Sequence, residues 1–137
     1  MKQCANGVFE VTLTPQGEAD TAPGATLGRM SIDKQFQGDL AGVGKGEMLS
    51  AITDVAGSAV YVAIERVTGA LHGRQGSFTF QHSGNSYRGT QQLAITVVPD
   101  SGAEELSGLT GELSLNIVDG RHFYTFEYSL PDSTSAI

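Results

Sequence analysis

A chain of 137 residues with 39% hydrophobic and 17% charged side chains is long and apolar enough to bury one core, which excludes a disordered segment. Its formal net charge of -7, from 15 acidic against 8 basic side chains, argues against nucleic acid or an anionic membrane as partner. The single cysteine, Cys4, excludes an internal disulfide, and 18 glycines against 4 prolines suit a turn-rich β domain better than a helical one.

Nearly every segment alternates with period two between Gly, Asp, Asn or Pro, which is the pattern of strands. Met1-Lys2-Gln3-Cys4-Ala5-Asn6 carries no continuous apolar stretch like that of a signal peptide, so the expected location is cytoplasmic. The first strand is Gly7 to Thr14, with Phe9, Val11 and Leu13 on one face, followed by a turn-rich stretch to Gly24. The second runs roughly from Thr26 to Phe36 and sets Met30, Ile32 and Phe36 in phase. After a tight turn at Gly38-Asp39, the third alternates Leu40, Gly42, Gly44, Gly46 and Met48 and continues to about Thr53.

A turn at Asp54 to Gly57 leads into the fourth strand, Ala59 to Val67, with Tyr61, Ala63, Glu65 and Val67 on one face. Asp54, Gly57 and Ser58 interrupt the apolar stretch from Met48 to Ile64, so no membrane span is expected there. Thr68-Gly69 is expected to begin a hairpin into the fifth strand, Leu71 to His82, where Phe78, Phe80 and His82 share a face. Ser83-Gly84-Asn85 predicts the next hairpin turn, and the sixth strand is Tyr87 to Val98. Pro99-Asp100-Ser101-Gly102 is a turn, and Ala103 to Leu109 has room for one helical turn. The seventh strand is Gly111 to Val118, Asp119-Gly120 signals a type I′ hairpin, and the eighth is Arg121 to Leu130.

Eight strands in a meander predict an all-β fold, a closed antiparallel eight-stranded barrel with at most one short helical turn. Closure removes exposed edges, and inward glycines on the third strand allow a sheet to curve sharply. A sandwich is the rival architecture. Residues 1–130 read as one domain and 131–137 as a loose tail.

The segment Tyr61-Val62-Ala63-Ile64-Glu65-Arg66-Val67-Thr68-Gly69, continued by Leu71-His72-Gly73-Arg74-Gln75-Gly76-Ser77-Phe78, carries a family resemblance. Phe36-Gln37-Gly38-Asp39-Leu40, Gln81-His82, Val98-Pro99-Asp100-Ser101-Gly102, Leu106-Ser107-Gly108-Leu109-Thr110-Gly111 and His122-Phe123-Tyr124 extend it over nearly the whole chain. Together they resemble a family of small bacterial proteins described as a domain of unknown function. That family is similar in fold to allene oxide cyclase, an eight-stranded barrel related in shape to lipocalins. The resemblance implies architecture and no chemistry. One departure is Asp100, where the family usually has Gly.

Glu65 is the leading candidate for chemistry. If its face points inward, it sits among apolar neighbours, where burial raises a carboxyl pKa unless a cation or several donors hold it. It could serve as acid or base, orient a ligand, or anchor structure by pairing with Arg74 or Arg88. His82 and His122 are placed to approach it at one mouth of the barrel, a pair suited to proton transfer. Tyr61, Phe78, Phe80 and Tyr124, with Phe126 and Tyr128, either fill the core or line a ligand box.

The candidate ligand-binding set is therefore Tyr61, Glu65, Phe78, Phe80, His82, His122 and Tyr124. No metal and no cofactor are expected, since the spacing of His72, His82 and His122 matches no metal motif. Gly42-Val43-Gly44-Lys45-Gly46 lacks the following Ser or Thr, the glycine spacing and the helix of a phosphate loop. Asp100-Ser101-Gly102 after an apolar strand resembles the turn of dimeric aspartic proteases, but reads more simply as a capped turn.

Three functions stay open at this point. The first is a barrel binding a small, largely apolar ligand. The second is an isomerase- or cyclase-like enzyme acting inside the barrel. The third is a filled-core interaction or assembly domain, for which a homo-oligomer is one form. The sequence does not decide whether there is catalysis.

Overall fold

The computed structural model describes residues 2–131. Ten strands follow in chain order: β1 (Lys2–Pro15), β2 (Asp20–Ala22), β3 (Ala25–Gly38), β4 (Leu40–Thr53), β5 (Ala59–Leu71), β6 (Arg74–Tyr87), β7 (Thr90–Val97), β8 (Ala103–Glu104), β9 (Thr110–Val118) and β10 (Arg121–Ser129). Every pairing is antiparallel. The order β1-β10-β9-β7-β6-β5-β4-β3 closes on itself through β1–β3, giving the eight-stranded barrel, with β2 and β8 as short additions.

Two sequence expectations about turns need correction. The hairpin between β5 and β6 lies at His72-Gly73, not Thr68-Gly69, and that between β6 and β7 lies at Arg88-Gly89, not Ser83-Gly84-Asn85. Both pairs hold positive φ at each residue (47° and 82°; 51° and 96°), as does Asp119-Gly120 (51° and 77°), which matches two-residue type I′ loops. Gly84 stays inside β6 because the Tyr61 ring occupies the space its Cβ would take. It marks a close approach and not a turn.

The helical turn expected after Gly102 is a correction as well. Ala103 and Glu104 form β8 against Ser77 and Gly76, and a run of turns follows to Leu109; among the described residues there is no helix. This connection inserts Leu106 and Leu109, each 1% exposed, into one end of the barrel. There they join Phe78, Phe80, Phe126, Tyr128, Leu40 and Leu71 in a continuous apolar core. The rings pack edge-on (Phe78–Phe80 centroids 4.9 Å apart, Phe80–Phe126 5.4 Å), stacked (Phe78–Phe126) or tilted (Phe126–Tyr128). This end is filled. Of the expected tail, residues 132–137 lie outside the described residues.

Candidate functional site

Above the filled end, the interior turns ionic. Strand β4 lies between β3 and β5 and presents Gly44 and Gly46 inward. Strands two apart lie about 10 Å from each other, so side chains normally do not meet across the one between. Here β4 offers no side chain at those positions, and the long side chains of Lys34 from β3 and Glu65 from β5 meet over it. Lys34 Nζ stands 3.1 Å from Glu65 Oε1. His82 on β6, two residues on from Phe80, brings Nε2 to 2.9 Å from the same oxygen. A carboxylate only accepts, so this nitrogen carries the proton. Glu65 is 0% exposed, His82 4% and Lys34 8%.

Burial alone would raise the Glu65 carboxyl. The hydrogen bond from His82 and the positive charge of Lys34 outweigh it and hold the group below its ordinary 4.5. The second carboxylate oxygen, Oε2, is buried without a hydrogen-bond partner and lies over Gly44, where a Cβ would overlap it. Lys34 also faces two rings, Phe9 at 4.7 Å and Phe36 at 5.7 Å from Nζ. The cation serving Glu65 is thus Lys34, and not the Arg74 or Arg88 suggested by the sequence; both arginines are exposed.

Beyond the ionic layer the barrel opens into a cup of about 350 Å³. Its wall comes from the inward faces of β3 to β7: Met30, Met48, Ser50, Tyr61, Gly84 and Leu93 are among its lining. No charged side chain lines it among the described residues. Tyr61 and Gly84 are register partners, and so are Ala63 and His82 one inward step deeper. Tyr61 therefore joins cup to ionic layer. Burial, and then the negative charge of Glu65, push its hydroxyl above 10.0.

The other candidates separate from this site. Phe78 and Phe80 lie in the filled core. Tyr124 serves the framework: its hydroxyl accepts from Leu40 N at 2.9 Å and has the carbonyls of Leu40 (2.9 Å) and Gln37 (3.0 Å) as acceptors, pinning the β3–β4 turn. Burial raises it as well, against the Leu40 hydrogen bond. His122 does not touch Glu65. It packs on Phe9 at 5.0 Å, the ring that Lys34 covers.

At the filled end His72 bridges Tyr128 and Asp39, the latter at 3.6 Å. Asp100 is exposed in a left-handed turn (φ 63°). No group of three side chains able to hold a metal occurs among the described residues. Lys34 was the residue missed from sequence, although it lies in phase with Ile32 and Phe36.

The class defined by fold and site is a closed antiparallel barrel, filled at one end, ionic across its middle and open at the other. The chain belongs to the family described as protein of unknown function (DUF3224), whose model matches residues 5–128. A crystal structure of a protein with unknown function from that family, from Shewanella oneidensis MR-1, is similar to it. The two share 47% identity over 96% of this chain and 100% of the other, with a TM-score of 0.90. No curated protein matches. No helix of the described residues is long and apolar enough to cross a membrane.

Proposed function

We propose that this barrel binds a small, uncharged, largely apolar molecule in the cup above the ionic layer. The observation that carries the reading is the cup itself. Its volume of about 350 Å³ lies within the range of small-ligand sites, and its lining is mainly apolar with a few neutral polar groups. An eight-stranded barrel is also just wide enough to hold one small ligand. Because aromatic rings occupy the other half, binding is confined to the cup.

In this reading Tyr61 orients the ligand's polar end, while Glu65, His82 and Lys34 hold the floor rigid beneath it. Glu65 is engaged by two partners through one oxygen, which supports a positioning role over acid–base work. The exposed free thiol of Cys4 fits a reducing compartment and supports a cytoplasmic location.

Native mass spectrometry of protein purified from its own host without detergent tests the proposal. A retained neutral mass that is released on unfolding is the expected result. Protein that carries nothing, and takes up nothing from a lipid extract of that host, contradicts it.

A further inference from the structure

The barrel wall is not uniformly zipped. The other neighbours among the eight barrel strands pair over eight or more positions, as β6 and β7 do from Phe80↔Val97 to Tyr87↔Thr90. Between β7 and β9 there is one register pair, Thr96↔Glu112. Continuing that antiparallel register would set Ala94 opposite Ser114 and Gln92 opposite Asn116, but neither pair forms. The seam is closed at its filled end and parts toward the open mouth.

Exposure records the same opening. A strand in a closed wall hides every second residue. On β7 all of Thr90 to Ala94 are exposed, and on β9 so are Asn116 to Val118. Leu93 and Ile117 belong to inward faces, since Leu93 pairs with Gly84 and Ile117 with His122. Even so, they are 46% and 61% exposed. Leu93, with Gln91 and Gln92, also lines the cup. The β7 rim of the slit is thus also a wall of the cup, with the apolar side chains of Leu93 and Ile117 on the inward faces of the two flanking strands.

Its origin lies in the chain path. The β7–β9 connection is not a hairpin, which would fix the register along both strands. It detours through β8, which pairs with the lower part of β6, and through the Leu106–Leu109 plug. Only the end of β7 nearest that plug is held to β9.

We propose that this seam is a side portal, and that the cup's ligand is an elongated, neutral, single-chain apolar molecule that enters through it and extends beyond the wall. This rests on the binding reading above and deepens it. A compact ligand uses only the mouth, whereas the slit gives a chain longer than the cup a second place to lie. The uncharged lining and the net charge of -7 disfavour an anionic head group, while Asn85, Gln91 and Gln92 can meet a hydroxyl or carbonyl. A wedge that narrows to a pinned end also suits a flexible chain better than an added peptide strand, which needs a gap of even width.

The test bridges the seam. Cysteines replace Gln92 and Asn116 in a Cys4→Ser background, and a short bismaleimide links them. Binding of the neutral probe N-phenyl-1-naphthylamine is followed by stopped-flow fluorescence, with dodecan-1-ol and hexan-1-ol as competitors. The expected result is a tenfold or greater slowing of probe uptake on bridging, and displacement by dodecan-1-ol at lower concentration than by hexan-1-ol on the wild-type protein. A second bridge, from Ala94→Cys to Ser114→Cys, should reproduce the slowing. Unchanged uptake in both bridged proteins overturns the portal and leaves the cup. No binding to the wild-type protein overturns the binding reading and the portal with it.

Discussion

Lys34 and Glu65 lie 31 positions apart on strands that do not pair, yet their charged groups stand 3.1 Å apart across the inward glycines of the strand between them. The inward glycines of β4 are thus neither an empty ligand space nor only a means of curvature. They are the gap through which an ion pair is made, and the pair divides a packed half of the barrel from an open one.

Breaking the pair from one side leaves the other charge buried. Lys34→Met should therefore cost about 3–5 kcal/mol, and the double variant Lys34→Met/Glu65→Gln should recover a good part of it. Urea denaturation of the single and double variants reads this directly. A single-variant loss below about 1 kcal/mol, the scale of a surface pair, would show that Lys34 and Glu65 are not coupled in this way.

The Glu65 carboxyl is held below 4.5 in the folded protein despite its burial, by His82 and Lys34. A depressed folded value means that folding favours the ionised form. Its stabilisation is present above about pH 4.5 and is lost as pH falls through the lower folded value. Unfolding midpoints measured from pH 7 to pH 2 should fall more steeply below pH 4.5 in the wild type than in Glu65→Gln. Parallel curves for the two proteins would sink the assignment.

A methyl group at position 44 would overlap Glu65 Oε2. Gly44→Ala should destabilise by roughly 1–3 kcal/mol, the usual range for overpacking a core. Thermal unfolding of this variant should show a clear drop, while Gly73→Ala cannot meet such an overlap, since nothing lies within 4 Å there. Gly73 holds φ 82°, so its loss measures backbone strain alone. A neutral Gly44→Ala would contradict the described contact.

Tyr124→Phe removes the hydroxyl that serves Leu40 N and the carbonyls of Leu40 and Gln37. A loss of about 1–3 kcal/mol is expected from the buried groups left unsatisfied. Uptake of N-phenyl-1-naphthylamine should stay as in the wild type, because Tyr124 does not line the cup. Weakened probe binding in a folded Tyr124→Phe protein would return the residue to the ligand site.

Much of this fold is legible in period two. The inward phase of β5 (Tyr61, Ala63, Glu65, Val67) follows directly from alternation, as do Phe78, Phe80 and His82 on β6. The turns mislead where glycine has two meanings. Gly69 and Gly84 look like turn residues, but they accommodate close approach within a strand, and only the partner's position reveals that. Lys34 escapes for a related reason. A charged residue in an apolar phase reads as an interruption until its carboxylate partner is placed two strands away. The unzipped seam has no local signal at all, since it depends on which parts of β6 the strands β7 and β8 take up.

The most direct test of the central claim, an open cup above a sealed ionic floor, is a fluorescence titration with N-phenyl-1-naphthylamine. It compares wild type with Ser50→Trp and Ala59→Trp, which fill the cup, and with Ile64→Glu on the outer wall, where Ile64 is 55% exposed. The account predicts saturable one-site binding by wild type and Ile64→Glu, weakened roughly tenfold or more, about 1.4 kcal/mol, in both folded tryptophan variants. Equal binding by all four proteins, or none by the wild type, would contradict it.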